Sequence, residues 1–257
     1  MTRDEFVRMM TADLPEAPAY FPKDAEINRT GASPLNELPP LLALSPTEIL
    51  ERAKQGDVVL DVRSAGEYGE GHIPGSLNIG LGGQYASWAG TLISFNAPVV
   101  IVAESEEKAN EAQCRLARVG LENVKGYLAG GIQAWREAGF EVADVPQITV
   151  AELKELIEND NDLQVIDVRR GGEYESGHAP RAVTAPLANL RDTLPKLNLN
   201  PSGKTAVICA GGYRSSAATS IMQPLGFTNL VNVTGGTNAW IKAGYEVEMP
   251  ANAAAAK

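Results

Sequence analysis

Short apolar runs alternate with longer stretches of helical periodicity along most of the chain. "DVVLDV" (57–62) and "APVVIVA" (97–103) are short buried-strand patterns, and a third strand lies within "ENVKGYLAG" (122–130). Helices are predicted over 45–56, 108–120 and 132–139. Ser45 with Glu48 three residues on marks the start of the first, and Gly120 closes the second. The order then recurs: a helix near 149–159, strands at 163–168, 205–209 and 229–233, and helices at 215–225 and 237–243. Strands that alternate with helices predict an α/β protein, with parallel sheets covered by helices on both faces.

The recurrence is a duplication. "DVRSAGEYGEGHIPGS" (61–76) and "DVRRGGEYESGHAPRA" (167–182) agree at nine of sixteen positions, at an offset of 106. "GGIQAWREAGFEV" (130–142) matches "GGTNAWIKAGYEV" (235–247) at an offset of 105. Two matches in the same order, a whole small domain apart, predict two tandem domains rather than a solenoid. Their extents are read as 44–143 and 148–250, joined by the proline-bearing linker "ADVPQ" (143–147), with a tail at 251–257. Residues 1–43 fit neither copy. They are proline-rich, with helix expected only at about 3–12, and read as an extended arm packed on a neighbour or as the remnant of another domain.

Composition narrows the setting. Apolar residues make up 44% and charged residues 21% of 257 residues, as in ordinary soluble globular proteins. No apolar run approaches the ~20 residues that span a bilayer, so no membrane association is expected. The acidic, proline-broken start does not resemble a secretory signal. Two cysteines, Cys114 and Cys209, make no disulfide framework, and a cytoplasmic setting is expected. A net charge of −10 argues against nucleic-acid partners. With only His72 and His178 and no CxxC spacing, neither a metal site nor a cofactor is expected.

Cys209 is the candidate reagent. It ends "TAVIC", where the chain leaves the sheet, and "AGGYR" leads on to a helix. Parallel sheets bind ligands at the carboxyl ends of their strands. Gly211 and Gly212 let successive N–H groups turn inward, the helix contributes its positive N-terminal end, and Arg214 adds a full charge. All three favour a thiolate and an anion docked beside it. The first copy is the internal control. Ala103 falls opposite Cys209, and "AESEEK" (103–108) replaces "CAGGYR" (209–214). Nucleophile and glycines are gone there, and Lys108 stands where Arg214 does, so this loop should be chemically inactive. Cys114 falls opposite Ser220, well inside a helix, and reads as packing.

Together "DVR…GEY…GHAPRA", "VICAGGYRS" and "GGTNAW" resemble the rhodanese family, and 44–249 resembles a tandem pair. The resemblance implies sulfur transfer. Cys209 would accept a sulfane sulfur from thiosulfate or a low-molecular-weight persulfide and pass it to cyanide, sulfite or a thiol. The N–H groups of Ala210, Gly211, Gly212, Tyr213 and Arg214 would hold the outer sulfur, and Arg214 would assist anion docking. The first copy would be an inactive rhodanese-like domain, serving as a cleft wall, an assembly surface or plain scaffold. The arm "EFVRMMTADLPEAPAYFPKDAEINRTG" resembles the end of the metallo-β-lactamase-like domain in persulfide dioxygenase–rhodanese fusions. That implies a possible persulfide dioxygenase partner and glutathione persulfide, sulfite and thiosulfate as substrates.

Asp167, Glu173 and His178 invite catalytic roles. Their counterparts Asp61, Glu67 and His72 stand in the copy without the cysteine, so structural roles are expected. Trp135 and Trp240 read as core, and Arg170 and Arg181 as solvated surface rather than anion entrance. A cysteine phosphatase is disfavoured, because Cys209 and Arg214 give C-x4-R where such enzymes use C-x5-R. The other alternative is a non-enzymatic interaction or regulatory module.

Overall fold

The computed structural model describes residues 1–12, 21–31 and 38–249. Among the described residues there are ten strands: β1 (Ala43–Leu44), β2 (Val58–Asp61), β3 (Leu77–Asn78), β4 (Val99–Val102), β5 (Val124–Leu128), β6 (Gln147–Ile148), β7 (Gln164–Asp167), β8 (Ala182–Thr184), β9 (Thr205–Ile208) and β10 (Leu230–Val233). They form two five-stranded parallel sheets, ordered β1-β5-β4-β2-β3 and β6-β10-β9-β7-β8. The central strands "VVIV" and "TAVI" are buried at every position, as the continuous apolar runs of a sheet covered on both faces should be. In each sheet the strand order reverses between the first long strand and the central one. The crevice at their carboxyl ends, between β7 and β9 in the second sheet, is the ligand-binding point of such sheets.

The six long strands fall within the segments predicted from the apolar runs. The edge strands β1, β3, β6 and β8 were not expected, because two or three residues carry no periodicity. Helices Ala65–Glu70, Tyr85–Leu92, Gly171–Glu175 and Leu190–Thr193 were not expected either, being too short or too interrupted by glycine to show a helical period. The Ser45 cap is as predicted, with Ser45 and Glu48 bonding each other's backbone N–H. In the arm, Arg3–Thr11 is helical, and so, against expectation, is Phe21–Thr30. Pro22 sits in the first turn, where no N–H is needed. The 251–257 tail lies outside the described residues.

The segment 143–147 is packed rather than loose. Ala143 bridges His72, Val145 is buried, and Gln147 enters β6. One apolar cluster runs from Leu60, Leu77, Trp88 and Ile101 of the first half to Ile166, Val207, Ala217 and Met222 of the second. The joint between them is the helix Tyr213–Met222, whose residues from Ser215 on are all buried. Small residues all round, "SSAATS", let backbone approach on every side. Ser216 Oγ donates to Asn78 Oδ1 (2.6 Å), and Asn78 N donates to Ser220 Oγ (3.0 Å), so this helix is bonded to the edge strand β3 of the other sheet.

Candidate functional site

Cys209 follows β9 directly, and its side chain is 1% exposed. Gly212 N donates to Sγ at 3.1 Å and Ser215 Oγ at 3.4 Å. Gly212 caps the Tyr213–Met222 helix with φ +98°, a conformation that glycine adopts without strain. The helix thus starts two residues earlier than predicted, and Arg214 lies in its first turn. The N–H groups of that turn have no acceptor within the helix. Ser215 was not singled out from sequence, yet its hydroxyl touches the sulfur.

The loop is held from below. Thr237 N donates to Cys209 O (2.8 Å) and Asn238 N to Ala210 O (3.0 Å), both from the start of the helix Gly236–Lys242. With its carbonyls engaged beneath, the loop is free to turn N–H groups the other way. This explains the second glycine of "GGTNAW": a Cβ at Gly236 would strike the Cys209 carbonyl oxygen. Asn232 Nδ2 donates to Gly212 O (3.2 Å) and to Gln147 Oε1 (2.7 Å), which fixes the cap residue to β6.

Arg214 is engaged elsewhere than at the sulfur. Its two terminal nitrogens donate to the two Glu173 carboxylate oxygens, both at 2.7 Å. These bonds hold the Glu173 carboxyl down at about 2, against the opposing effect of burial. Glu173 therefore ties the short helix after β7 to the first turn of the helix after β9. Asp167 takes a forked bond from Arg169, and Arg169 donates on to Gly177 O (2.8 Å). His178 stacks on Tyr174 at 3.7 Å between centroids, with Nδ1 3.0 Å from Tyr174 O. The first copy repeats both arrangements with Asp61, Arg63, Tyr68 and His72. Arg181 donates to the carbonyl of Ile157 in the last turn of the helix Val150–Asn159 and to those of Asp160, Asn161 and Leu163 beyond it, and Arg170 is exposed. Trp135 and Trp240 are core, and Cys114 lies within the helix Glu106–Ala117.

The first-copy loop is closed where the second is open. Ser105 caps its helix with φ −151°, and its Oγ accepts from Lys108 N (3.2 Å). A side chain thus occupies the end of the helix that Gly212 leaves to the sulfur. A cleft of about 440 Å³ lies between the halves, with Gly211, Gly212 and Tyr213 facing Leu81, Glu104 and Lys108. Tyr213 spans it, donating its phenol to Gly80 O (2.7 Å). Among the described residues no cluster of His, Cys, Asp and Glu is arranged to hold a metal, and no helix is long and apolar enough to cross a membrane.

Residues 45–138 and 149–243 each match the family model described as "Rhodanese-like domain". The Bacillus subtilis protein "Putative sulfur carrier protein YrkF" is 33% identical over 38% of this chain and 52% of its own length. "Putative sulfurtransferase YtwF" of the same organism is 34% identical over 38% of this chain and 91% of its own length. This chain thus spans about half of the first relative and most of the second. Among solved structures, a thiosulfate sulfurtransferase from Pseudomonas aeruginosa aligns over 81% of this chain and 44% of its own, with 23% identity and a TM-score of 0.37.

Proposed function

The chain belongs to the rhodanese-like domain family, carrying two such domains, and from that premise we propose a sulfurtransferase that works through a persulfide on Cys209. The observation that carries this reading is the Gly212 N–H aimed at Cys209 Sγ from the end of a buried helix. The names of two relatives, a putative sulfur carrier protein and a putative sulfurtransferase, support it.

In the first half-reaction the Cys209 sulfur bonds to the outer sulfur of the donor. The donor's own S–S bond breaks, and sulfite or a thiol leaves with that electron pair. In the second, the lone pair of cyanide, sulfite or a thiol bonds to the outer sulfur, and the electron pair of the broken bond returns to Sγ. The N–H groups from Ala210 to Arg214 surround the added sulfur and its charge. The Ser215 hydroxyl already touches Sγ, and Arg214 serves by bracing the loop through Glu173. Cys209 is 1% exposed and Gly211 close by lies open, so the donor approaches over the loop itself.

The first domain takes no sulfur in this reading and walls the cleft. The arm's resemblance to the end of a metallo-β-lactamase-like domain supports a persulfide dioxygenase as the associated partner. The reduced thiols that the chemistry needs suit a cytoplasmic setting.

The test is intact mass before and after incubation with thiosulfate, and separately with glutathione persulfide. Wild type and Cys114→Ser gain one sulfur atom; Cys209→Ser gains none. No gain in folded, reduced wild type would leave the docking-module alternative standing.

A further inference from the structure

One residue of the Cys209 loop reaches the other domain. Tyr213 donates its phenol to Gly80 O at 2.7 Å, and among the described residues this is the hydrogen bond that joins residues 209–214 to the first domain. The ring lies against the turn "GLGG" (80–83), just beyond β3. The seat is tight. A Cβ on Gly83 would stand 2.5, 2.6 and 2.8 Å from three carbons of the Tyr213 ring, so the ring fits only against a glycine. A Cβ on the adjacent Gly82 would meet nothing within 4 Å.

The duplication shows that this seat is not a general property of the fold. The bonds Ile79 N to Asp61 O and Leu81 N to Val62 O recur as Ala185 N to Asp167 O and Leu187 N to Val168 O, so the two turns correspond at an offset of 106. Pro186, Ala188 and Asn189 stand in the second copy where Gly80, Gly82 and Gly83 stand in the first. The first-copy turn is also braced from behind. Arg115 donates to Leu81 O (2.7 Å) and Gly83 O (3.3 Å), and Ile221 takes its place in the second copy. No reciprocal contact exists, because Glu107, opposite Tyr213, is exposed.

What the seat holds is the start of the catalytic helix. Tyr213 is bonded directly to Gly212, whose N–H meets Cys209 Sγ at 3.1 Å. On the other side Gly211 is exposed, with open space where a Cβ would be. Two glycines in succession give this stretch little stiffness of its own. A ring fixed one residue further on limits how far the Gly212 peptide can swing. We propose that the first domain positions the sulfur site: its turn 80–83 seats Tyr213 and thereby holds the Gly212 N–H on the Cys209 sulfur. The Tyr213 side chain is a positioning group and touches no reacting atom. The inference rests on the reading of Cys209 as the sulfur acceptor.

The experiment uses the full chain in a Cys114→Ser background, which leaves Cys209 as its one thiol. Alkylation by iodoacetamide, measured against pH, reports how strongly the loop favours the thiolate and needs no sulfur donor. Loading from thiosulfate, followed by mass, reports transfer. Tyr213→Phe keeps the ring and loses the bond, and should slow loading about threefold, as for one neutral hydrogen bond. Gly83→Ala drives the ring from its seat. It should slow loading about thirtyfold and raise the midpoint of the alkylation profile by about one pH unit, because the thiolate loses its donor. Gly82→Ala should match the parent in both. Tyr213→Ala should lose as much as Gly83→Ala, and adding Gly83→Ala to it should cost nothing more, since no ring is left to displace. If melting curves show that Gly83→Ala does not fold, Tyr213→Ala decides alone. An unmoved midpoint in folded Tyr213→Ala, or a Gly83→Ala loss that persists without the ring, overturns the positioning role and leaves sulfur transfer standing. The expected midpoint shifts in a parent that takes no sulfur uphold the positioning and overturn the sulfur-transfer reading.

Discussion

At the scale of single residues, the site depends on atoms that do no chemistry. Gly236 has φ +54°, and a Cβ there would collide with the Cys209 carbonyl oxygen. Gly236→Ala should displace the loop by a fraction of an ångström or more and slow sulfur loading about a hundredfold. A melting curve alongside separates misplacement from unfolding; unchanged loading would show that the carbonyl anchor is dispensable. Glu173 makes a different kind of prediction. Its carboxyl falls from the ordinary 4.5 to about 2 because Arg214 bonds it. A depressed carboxylate adds stability that is complete above 4.5 and is lost as pH falls through about 2. The difference in melting temperature between wild type and Glu173→Gln should therefore be full at neutral pH and shrink across that acid window. A difference independent of pH would mean that the ion pair is not its source.

At the scale of elements, two loops with one ancestry differ in how their helices begin. Gly212 starts one and leaves its N–H for the sulfur; Ser105 starts the other and fills the same end with its own hydroxyl. Placing a cysteine at Ala103 should not revive the first loop. In a Cys209→Ser background, Ala103→Cys should gain no sulfur by mass, and a gain would show that the cap does not close the site. The apolar runs revealed the six long strands, and the glycines and Arg214 marked the loop. The partner of Arg214 was not legible, because Glu173 lies 41 residues away in the short helix after β7 and only the sheet order brings them together. The contact of Ser215 with Sγ was hidden in the same way, since its direction depends on a helix that begins two residues earlier than its small residues suggested.

At the scale of the whole molecule, each half packs a cluster of its own, but the two sheets also share a larger apolar cluster and a buried helix that join them. The chain should unfold in one cooperative step. Variants that keep only Trp135, in the first half, or only Trp240, in the second, should give superimposable fluorescence transitions in denaturant, and two separated midpoints would show independent domains. His72 adds to this joint, with Nε2 2.9 Å from Gln223 Oε1 across the boundary. The helix Tyr213–Met222 has a further consequence for how this sequence can drift. Its small side chains answer to the sulfur at one end, to their own sheet on one flank and to the neighbouring domain on the other. In a saturation library scored for function, this short segment should tolerate the fewest replacements in the chain. Most of the changes it accepts should arrive in company with a second change at Asn78, so that two genes' worth of sequence, once free to diverge, now vary as one.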